Sequence, residues 1–316
     1  MSAESLVPHE APPDLWEEAS SCAGEEVVFI VGSPRSGTTW LQRLLASHPQ
    51  VRTGQESHLF SHYLAPQLRT WQRAIDRTSD PAFEGRSGLG LAGYLEEAEF
   101  LNLLRLYVVM MMRAAGMRQG DRFLEKSPSH ALVIPEIRTL LPRSKFIHLV
   151  RDPRDVVASL VAASQGWGKA WAPSDTGKAA GIWVKHVEAV REASGQMPAG
   201  TFVQVRYEDL SADPEGTLRS LTDFMGLAWS ADQVSHAVEA NRVGALKGGG
   251  GTPIPIFGHY QRVQGDTAVE PEGFVRKAKP GTGRKELSLG DKKRIRDEVY
   301  PTMKTFGYAW KLTDWV

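Results

Sequence analysis

EVVFIVGSPRSGTT, residues 26–39, decides the fold expected for this chain of 316 residues. After one glutamate it has five apolar residues, three of them valine, a pattern typical of a buried strand in a parallel sheet. A turn with two glycines follows, and leucines at helical spacing come after the turn. A buried strand, a glycine-bearing turn and an amphipathic helix in this order indicate an α/β fold with an anion site at the turn.

The rest of the chain repeats the alternation of strand and helix. Further strands are predicted at residues 51–53, 122–124, 145–150 and 202–205, and helices at residues 94–116, 132–141, 153–161, 178–193, 214–225, 231–241 and 289–306. We therefore predict a single domain, residues 25–316, with a central parallel sheet of about five strands flanked by helices and a P-loop-like nucleotide site. Residues 1–24 are expected to be a loosely ordered arm. Residues 247–280, rich in glycine and proline, are expected to be a lid or binding loop.

Composition narrows the class of protein. The chain has 37 basic and 37 acidic residues, and this balance argues against a broad nucleic-acid surface. Its single cysteine, Cys22, excludes an internal disulfide and fits a reducing compartment. There is no run of 18 apolar residues and no secretory signal at the start, so we expect a cytoplasmic protein without a membrane span. The oligomeric state is left open.

The turn after the first strand has the glycine spacing of a P-loop, G-x-x-x-x-G, at Gly32 and Gly37. Glycines let backbone N–H groups curl around a phosphate, and the helix that follows points its positive end at the phosphate. The lysine expected after the second glycine is replaced by Thr38, and a cation stands inside the loop instead, at Arg35. Because that lysine serves the β- and γ-phosphates, its absence disfavours an ordinary kinase or ATPase.

A second anion site is predicted where the fourth strand ends, in VRDPRDVVAS, residues 150–159. Arg151 stands at the carboxyl end of the strand, where open α/β sheets bind ligands. Ser159 lies about two helical turns into the next helix, so the side chains of Arg151 and Ser159 can bind one phosphate. Arg154 is expected to pair with a nearby aspartate instead.

Together the two segments resemble the sulfotransferases that use 3′-phosphoadenosine 5′-phosphosulfate (PAPS). The resemblance runs over about residues 26–310 and includes RYEDL, residues 206–210, and, more loosely, the stretch around residues 274–283. It implies that the 5′-phosphosulfate is bound by Ser33, Pro34, Arg35, Ser36, Gly37, Thr38, Thr39 and Trp40. It also implies that Arg151 and Ser159 bind the 3′-phosphate, that Tyr207 lies by the nucleotide, and that Arg276 and Lys277 close over it. Ala278 replaces a family glycine, which weakens the match at the last two.

The resemblance also predicts the catalytic groups. Lys126 matches the family lysine beside the transferred group, and Arg35 is a second cation; no metal is implied. Pro128 stands where cytosolic members carry their catalytic histidine. Glu56 lies in a segment similar to the one where tyrosylprotein and several bacterial members carry a glutamate base, and we favour it as the base. The alternatives are His58, His130 and His259.

The predicted activity is transfer of a sulfuryl group to a hydroxyl or amine of a small-molecule or carrier-bound acceptor. Met110–Met112, Trp167, Trp171 and the glycine-rich segment are candidate walls of the acceptor pocket, whose occupant the sequence does not identify. Two other classes stay open at this point: a P-loop kinase or NTPase, and a non-catalytic nucleotide-binding protein.

Overall fold

The computed structural model describes residues 13–78, 89–257, 267–276 and 279–315. Five parallel strands form one sheet: β1 (Val27–Val31), β2 (Val51–Thr53), β3 (Arg122–Lys126), β4 (Lys145–Val150) and β5 (Phe202–Arg206). The helices are α1 (Pro13–Ser21), α2 (Thr38–Ala46), α3 (Ala65–Thr78), α4 (Glu97–Ala114), α5 (Ile134–Leu140), α6 (Pro153–Ser164), α7 (Thr176–Ser194), α8 (Tyr207–Ala212), α9 (Pro214–Met225), α10 (Ala231–Ala240), α11 (Val243–Lys247) and α12 (Leu289–Thr305). The predicted α/β class with a central parallel sheet is confirmed.

Both faces of the sheet are covered, because side chains along a strand alternate between the faces. Val27, Phe29 and Val31 of β1 belong to the core beneath α1, α3, α4 and α5. Val28 and Ile30 belong to the opposite core, beneath α2, α8, α9 and α10. All five residues of β1 are buried, which explains the unbroken apolar run in the sequence.

The strand order β2-β3-β1-β4-β5 places the predicted site at one edge of the sheet. The chain leaves β1 towards β2 on one side and leaves β4 towards β5 on the other. The neighbouring strands β1 and β4 therefore form the switch point at which open α/β sheets bind ligands, outside their carboxyl ends. The two predicted anion-binding segments directly follow these two strands.

Some boundaries differ from the expectation. Part of the expected loose arm is the helix α1, whose Leu15 and Ala19 are buried against α4; its acidic composition concealed this apolar side. The single helix expected at residues 132–141 is a 3-10 turn, Pro128–Leu132, followed by α5. Of the expected lid, residues 258–266 and 277–278 lie outside the described residues. None of the helices in the described part of the chain has the length and apolar character needed to cross a bilayer.

His148 makes the stability of the fold sensitive to acid. It lies fully buried on β4 beside the rings of Phe202 and Phe306, and burial lowers its pKa to about 4. Its neutral form is favoured in the folded state, so its contribution to stability is present above pH about 6.5 and is lost as the pH falls towards 4.

We expect His148→Leu to lose less stability on acidification than the wild type. Between pH 7 and 4.5 the difference in the free energy of unfolding should change by about 2–3 kcal/mol in favour of the variant, measured by urea denaturation. His236, an exposed histidine on α10, provides the control His236→Gln. Equal pH dependence in the wild type and His148→Leu would contradict this account.

Candidate active site

The turn after β1 has the backbone shape of an anion-binding loop. Gly37 has φ 98° and caps α2, which begins at Thr38, so the first N–H groups of the helix face the turn. A side chain at Gly37 would place its Cβ 2.6 Å from ring carbons of Tyr207. Arg35 has φ 71°, an uncommon conformation for a residue other than glycine. Glycine is therefore required at position 37 by both conformation and space.

Arg35 connects the two predicted anion sites. Its Nε donates to Ser159 Oγ at 3.1 Å, and its Nη2 donates to the carbonyl oxygen of Phe274 at 2.6 Å. The guanidinium lies 5.0 Å from the ring centre of Trp167 and 4.5 Å from that of Phe274. Burial, and secondly the charge of Arg151, lowers the pKa of Arg35 to about 10, so the side chain stays cationic at neutral pH.

Arg151 lies at the carboxyl end of β4, as predicted, and is 9% exposed. Its guanidinium lies 4.1 Å from the ring centre of Tyr207, and its Nη2 is 3.6 Å from Asp155 Oδ2. The prediction that Arg154 pairs with an aspartate is confirmed, since it contacts both Asp152 and Asp314. Arg154 thereby anchors the start of α6, and Arg151 is left to face the site.

The segment after Phe274 is fastened to α6. Arg276 donates to the carbonyl oxygen of Ala158 at 2.9 Å and pairs with Glu286. The N–H groups of Gly281 and Gly283 donate to the two oxygens of Asp155, each at 2.7 Å. Arg276 therefore lies beside the second anion site, where the resemblance places it. Lys277 lies outside the described residues.

A cavity of about 740 Å³ joins these parts. Its lining, as far as the structure describes it, includes the predicted residues Arg35, Gly37, Thr38, Thr39, Trp40, Arg151, Ser159, Tyr207 and Arg276. Ser33 and Ser36 are buried in the turn behind the cavity. Ser36 Oγ and Arg151 Nε are buried and have no hydrogen-bond partner among the described residues. Arg151 lines the cavity, so its unused guanidinium N–H is available to an anion bound there.

Lys126 and Glu56 form an ion pair next to this cavity. Lys126 Nζ lies 2.5 Å from Glu56 Oε1 and donates to Thr39 Oγ1 at 3.1 Å. The lysine side chain is 4% exposed and that of the glutamate 37% exposed. Lys126 therefore lies between the anion-binding loop and a carboxylate that solvent can reach.

The alternative bases differ in access. His58 is half-buried, with Nε2 3.5 Å from Glu56 Oε2, and burial lowers its pKa. His130 is fully buried, its Nε2 accepts the N–H of Phe60, and burial lowers its pKa to about 3. His259 lies outside the described residues. The side chains of Glu56 and His58 are equally exposed, at 37% each, so the contact with Lys126 is what favours Glu56 over His58, whereas burial disfavours His130.

Three residues of the site carry a role that the sequence did not show. Asp155 binds the glycines at 281 and 283, and its spacing of four residues from Arg151 was the available signal. Phe274 binds Arg35 from 239 residues away, which no local pattern reveals. Trp167, expected as an acceptor wall, packs on Arg35, and its place in an acceptor pocket stays a prediction. Of the other expected walls, Met112 is buried in the core, whereas Gly249–Gly251 line the cavity.

Residues 27–231 match the model of the sulfotransferase family. The match extends over more than half of the chain and includes both anion-binding segments, so the chain belongs to this family. The prediction of a sulfotransferase is thereby confirmed. The comparisons give no support to a P-loop kinase or NTPase.

The relatives include two kinds of sulfotransferase. A putative protein-tyrosine sulfotransferase of Caenorhabditis briggsae is 29% identical over 214 residues, 67% of this chain and 69% of the relative. The omega-hydroxy-beta-dihydromenaquinone-9 sulfotransferase Stf3 of Mycobacterium tuberculosis is 32% identical over 263 residues, 67% of this chain and 68% of the relative. Other protein-tyrosine sulfotransferases are longer: the match covers 52% of the Caenorhabditis elegans protein and 40% of the Drosophila melanogaster protein.

A solved structure has the same fold. Mouse sulfotransferase SULT7A1 complexed with PAP superposes with a TM-score of 0.55 at 12% sequence identity, covering 91% of this chain and 89% of that one. The similarity supports the fold assignment.

Proposed function

We propose that the protein transfers a sulfuryl group from PAPS to a hydroxyl or amine of a small-molecule or carrier-bound acceptor. The observation that carries the proposal is the contact between Thr39 in the anion-binding loop and Lys126, which in turn pairs with Glu56. Donor-binding groups and a candidate base are thus joined through one lysine.

The two anion sites indicate which donor the protein binds. The turn at residues 32–39 and the Arg151–Ser159 pair lie on one cavity, and Arg35 contacts Ser159 directly. A nucleotide with phosphates on both the 3′ and 5′ positions would reach both sites at once. The PAP bound by the mouse structure of the same fold has this chemistry and supports the choice.

The chain's own residues supply the requirements of group transfer. The N–H groups at the start of α2 and the ammonium of Lys126 stabilise negative charge on the leaving phosphate. Glu56 takes the proton of the acceptor as the new oxygen–sulfur or nitrogen–sulfur bond forms. Arg35 and Arg151 hold the donor in place, which keeps the reacting atoms in line.

A hydroxyl acceptor has more support than an amine. The names of the relatives describe a tyrosine side chain and an omega-hydroxy compound as acceptors, and both are hydroxyls. The acceptor of this chain is therefore proposed as an alcohol or phenol in the first instance. The cytoplasmic location expected from the sequence stays a prediction, which cell fractionation would test.

Adenosine 3′,5′-bisphosphate should raise the melting temperature of the protein in the absence of magnesium. A ligand of the native state at 100 times its dissociation constant adds about 2.7 kcal/mol to the free energy of unfolding. A thermal-shift titration measures this, with ATP and magnesium as the comparison. Stabilisation by ATP with magnesium, together with no response to the bisphosphate, would refute the donor assignment.

Arg151→Ala should weaken this response. Loss of a hydrogen bond to a charged group costs about 1.5–3 kcal/mol, so the titration midpoint should move to higher bisphosphate concentration. Arg219→Ala removes an exposed arginine that pairs with Glu215 on α9, and it should leave the midpoint unchanged.

A further inference from the structure

Glu125 is a buried carboxylate immediately before Lys126, and the mechanism above does not use it. It is 2% exposed at the end of β3. Its Oε1 accepts the hydroxyl of Ser127 at 2.8 Å and the hydroxyl of Ser57 at 3.0 Å. Ser57 directly follows Glu56, so the carboxylate is connected to the loop that carries the candidate base.

The same two serines also accept hydrogen bonds from the backbone of the loop. Ser127 Oγ accepts the N–H of His58 at 3.1 Å, and Ser57 Oγ accepts the N–H of Leu59 at 3.0 Å. A serine has one hydroxyl hydrogen, and each of these serines donates it to Glu125; their lone pairs stay available to the backbone. Glu125 thereby sets the direction of both hydrogen bonds.

The loop needs such support, because His58 has φ 50°, a conformation that residues other than glycine rarely adopt. Strained backbone persists only where surrounding contacts hold it. The side chain of His58 contacts Ser129, and its backbone N–H and that of Leu59 are held by the two serines that Glu125 organises. Glu56, two residues before His58, takes its position from this backbone.

Because side chains alternate along β3, Glu56 is held from two sides. Neighbouring residues of a strand point to opposite faces, so Glu125 and Lys126 point in opposite directions from the end of β3. Lys126 contacts the carboxylate of Glu56 directly, while Glu125 holds the backbone behind it. Removal of either contact would leave the base held from one side only.

We propose that Glu125 is a positioning residue that holds Glu56 against Lys126 through Ser57 and Ser127. As a statement about catalysis, this rests on the proposed function. The role requires an acceptor oxygen rather than a charge. Burial raises the pKa of Glu125 to about 7, and Oε1 can accept from the serines in either protonation state. His130 Nδ1 lies 3.6 Å from Glu125 Oε1, beyond hydrogen-bond distance, so the serines are the links to the loop.

Amide hydrogen exchange of the peptide 54–62 tests the proposal without an acceptor. In Glu125→Leu, exchange at His58 and Leu59 should speed up at least about tenfold, whereas Glu125→Gln, which keeps an acceptor oxygen, should stay within about threefold of the wild type. Ser127→Ala should speed up His58, and Ser57→Ala should speed up Leu59. Ser144→Ala, a buried serine that bonds the Leu141 carbonyl, is the matched control and should change neither amide.

Turnover separates positioning from a general structural defect. With 4-nitrophenol as the surrogate acceptor, Glu125→Leu should lower kcat about tenfold and leave the dissociation constant of adenosine 3′,5′-bisphosphate within about twofold. In a Glu56→Gln background the same change should have no further effect, because Glu125 acts through Glu56. An equal loss of kcat in both backgrounds would overturn the proposal.

Two further results would separate failure of the positioning role from failure of the proposed function. Wild-type exchange rates at His58 and Leu59 in Ser57→Ala and Ser127→Ala would overturn the proposal, even if Glu125→Leu does not fold. Failure of the wild type to bind the bisphosphate would instead refute the proposed function. The exchange measurement needs neither donor nor acceptor, so the two failures are distinguishable.

Discussion

Glu56→Gln should transfer sulfate at least about 100-fold more slowly than the wild type, because loss of a general base typically costs 10²–10⁴ in rate. Glutamine keeps the shape of the side chain and can still accept a hydrogen bond from Lys126, but it cannot take the acceptor's proton. Glu56 is not among the described residues that line the nucleotide cavity, so binding of adenosine 3′,5′-bisphosphate should be unchanged. The measurement is steady-state turnover of a phenol or alcohol that the wild type sulfates.

The matched control for this variant is Glu215→Gln, which removes an exposed carboxylate that is paired with Arg219 on α9. It should keep full turnover. Near-normal turnover in Glu56→Gln would remove Glu56 from the mechanism. His58, whose Nε2 lies 3.5 Å from Glu56, would then be the first histidine to replace.

Lys126→Met should lower kcat by about 10²–10³, the usual cost of removing one group that stabilises transition-state charge. The lysine side chain is 4% exposed and lies between Thr39 and Glu56, where charge would build up as the donor bond breaks. Affinity for adenosine 3′,5′-bisphosphate should fall much less, because that ligand lacks the transferred group. Rapid-mix turnover and equilibrium titration together give both quantities.

Lys145→Met is the corresponding control at the opposite end of the sheet. Lys145 begins β4 and donates to the Phe224 carbonyl, away from the carboxyl ends of the strands. Its replacement should leave kcat unchanged. A Lys126→Met protein that loses nucleotide affinity and keeps its kcat would contradict the role given to Lys126.

The sheet could be predicted because each strand is marked by the residues of a short stretch of sequence. The strand β1 is an unbroken apolar run, and β4 is apolar except for Lys145 and His148; both are almost wholly buried. The glycines of the turn at residues 32–39 could likewise be predicted. Their backbone conformation and the close approach of neighbouring atoms both require glycine. By contrast, α1 was taken for part of a loose arm, because its buried face consists of few residues within an acidic segment.

The main residues of the site could be predicted from the sequence, but the residues that contact them could not. Arg35, Arg151 and Glu56 each follow a strand and Lys126 ends one, and the carboxyl ends of parallel strands meet at one edge. Their partners depend on packing between distant segments: Phe274 for Arg35, and Tyr207 for Arg151. The support of Glu56 by Glu125 also escaped prediction, since it requires two serines from separate loops to meet.

The order of the strands has a consequence for how such a protein can diversify. The loop after β2 supplies Glu56, β3 supplies Lys126, and β1, β4 and β5 lead into the residues proposed to bind the nucleotide. With the roles proposed for these residues, one border of the sheet faces the acceptor and the remainder faces the donor. We therefore expect mutations along the β2 border to change the choice of acceptor and to leave donor binding unchanged. A chimaera that exchanges residues 54–64 between two sulfotransferases should accordingly exchange acceptor preference and keep the nucleotide affinity of its host.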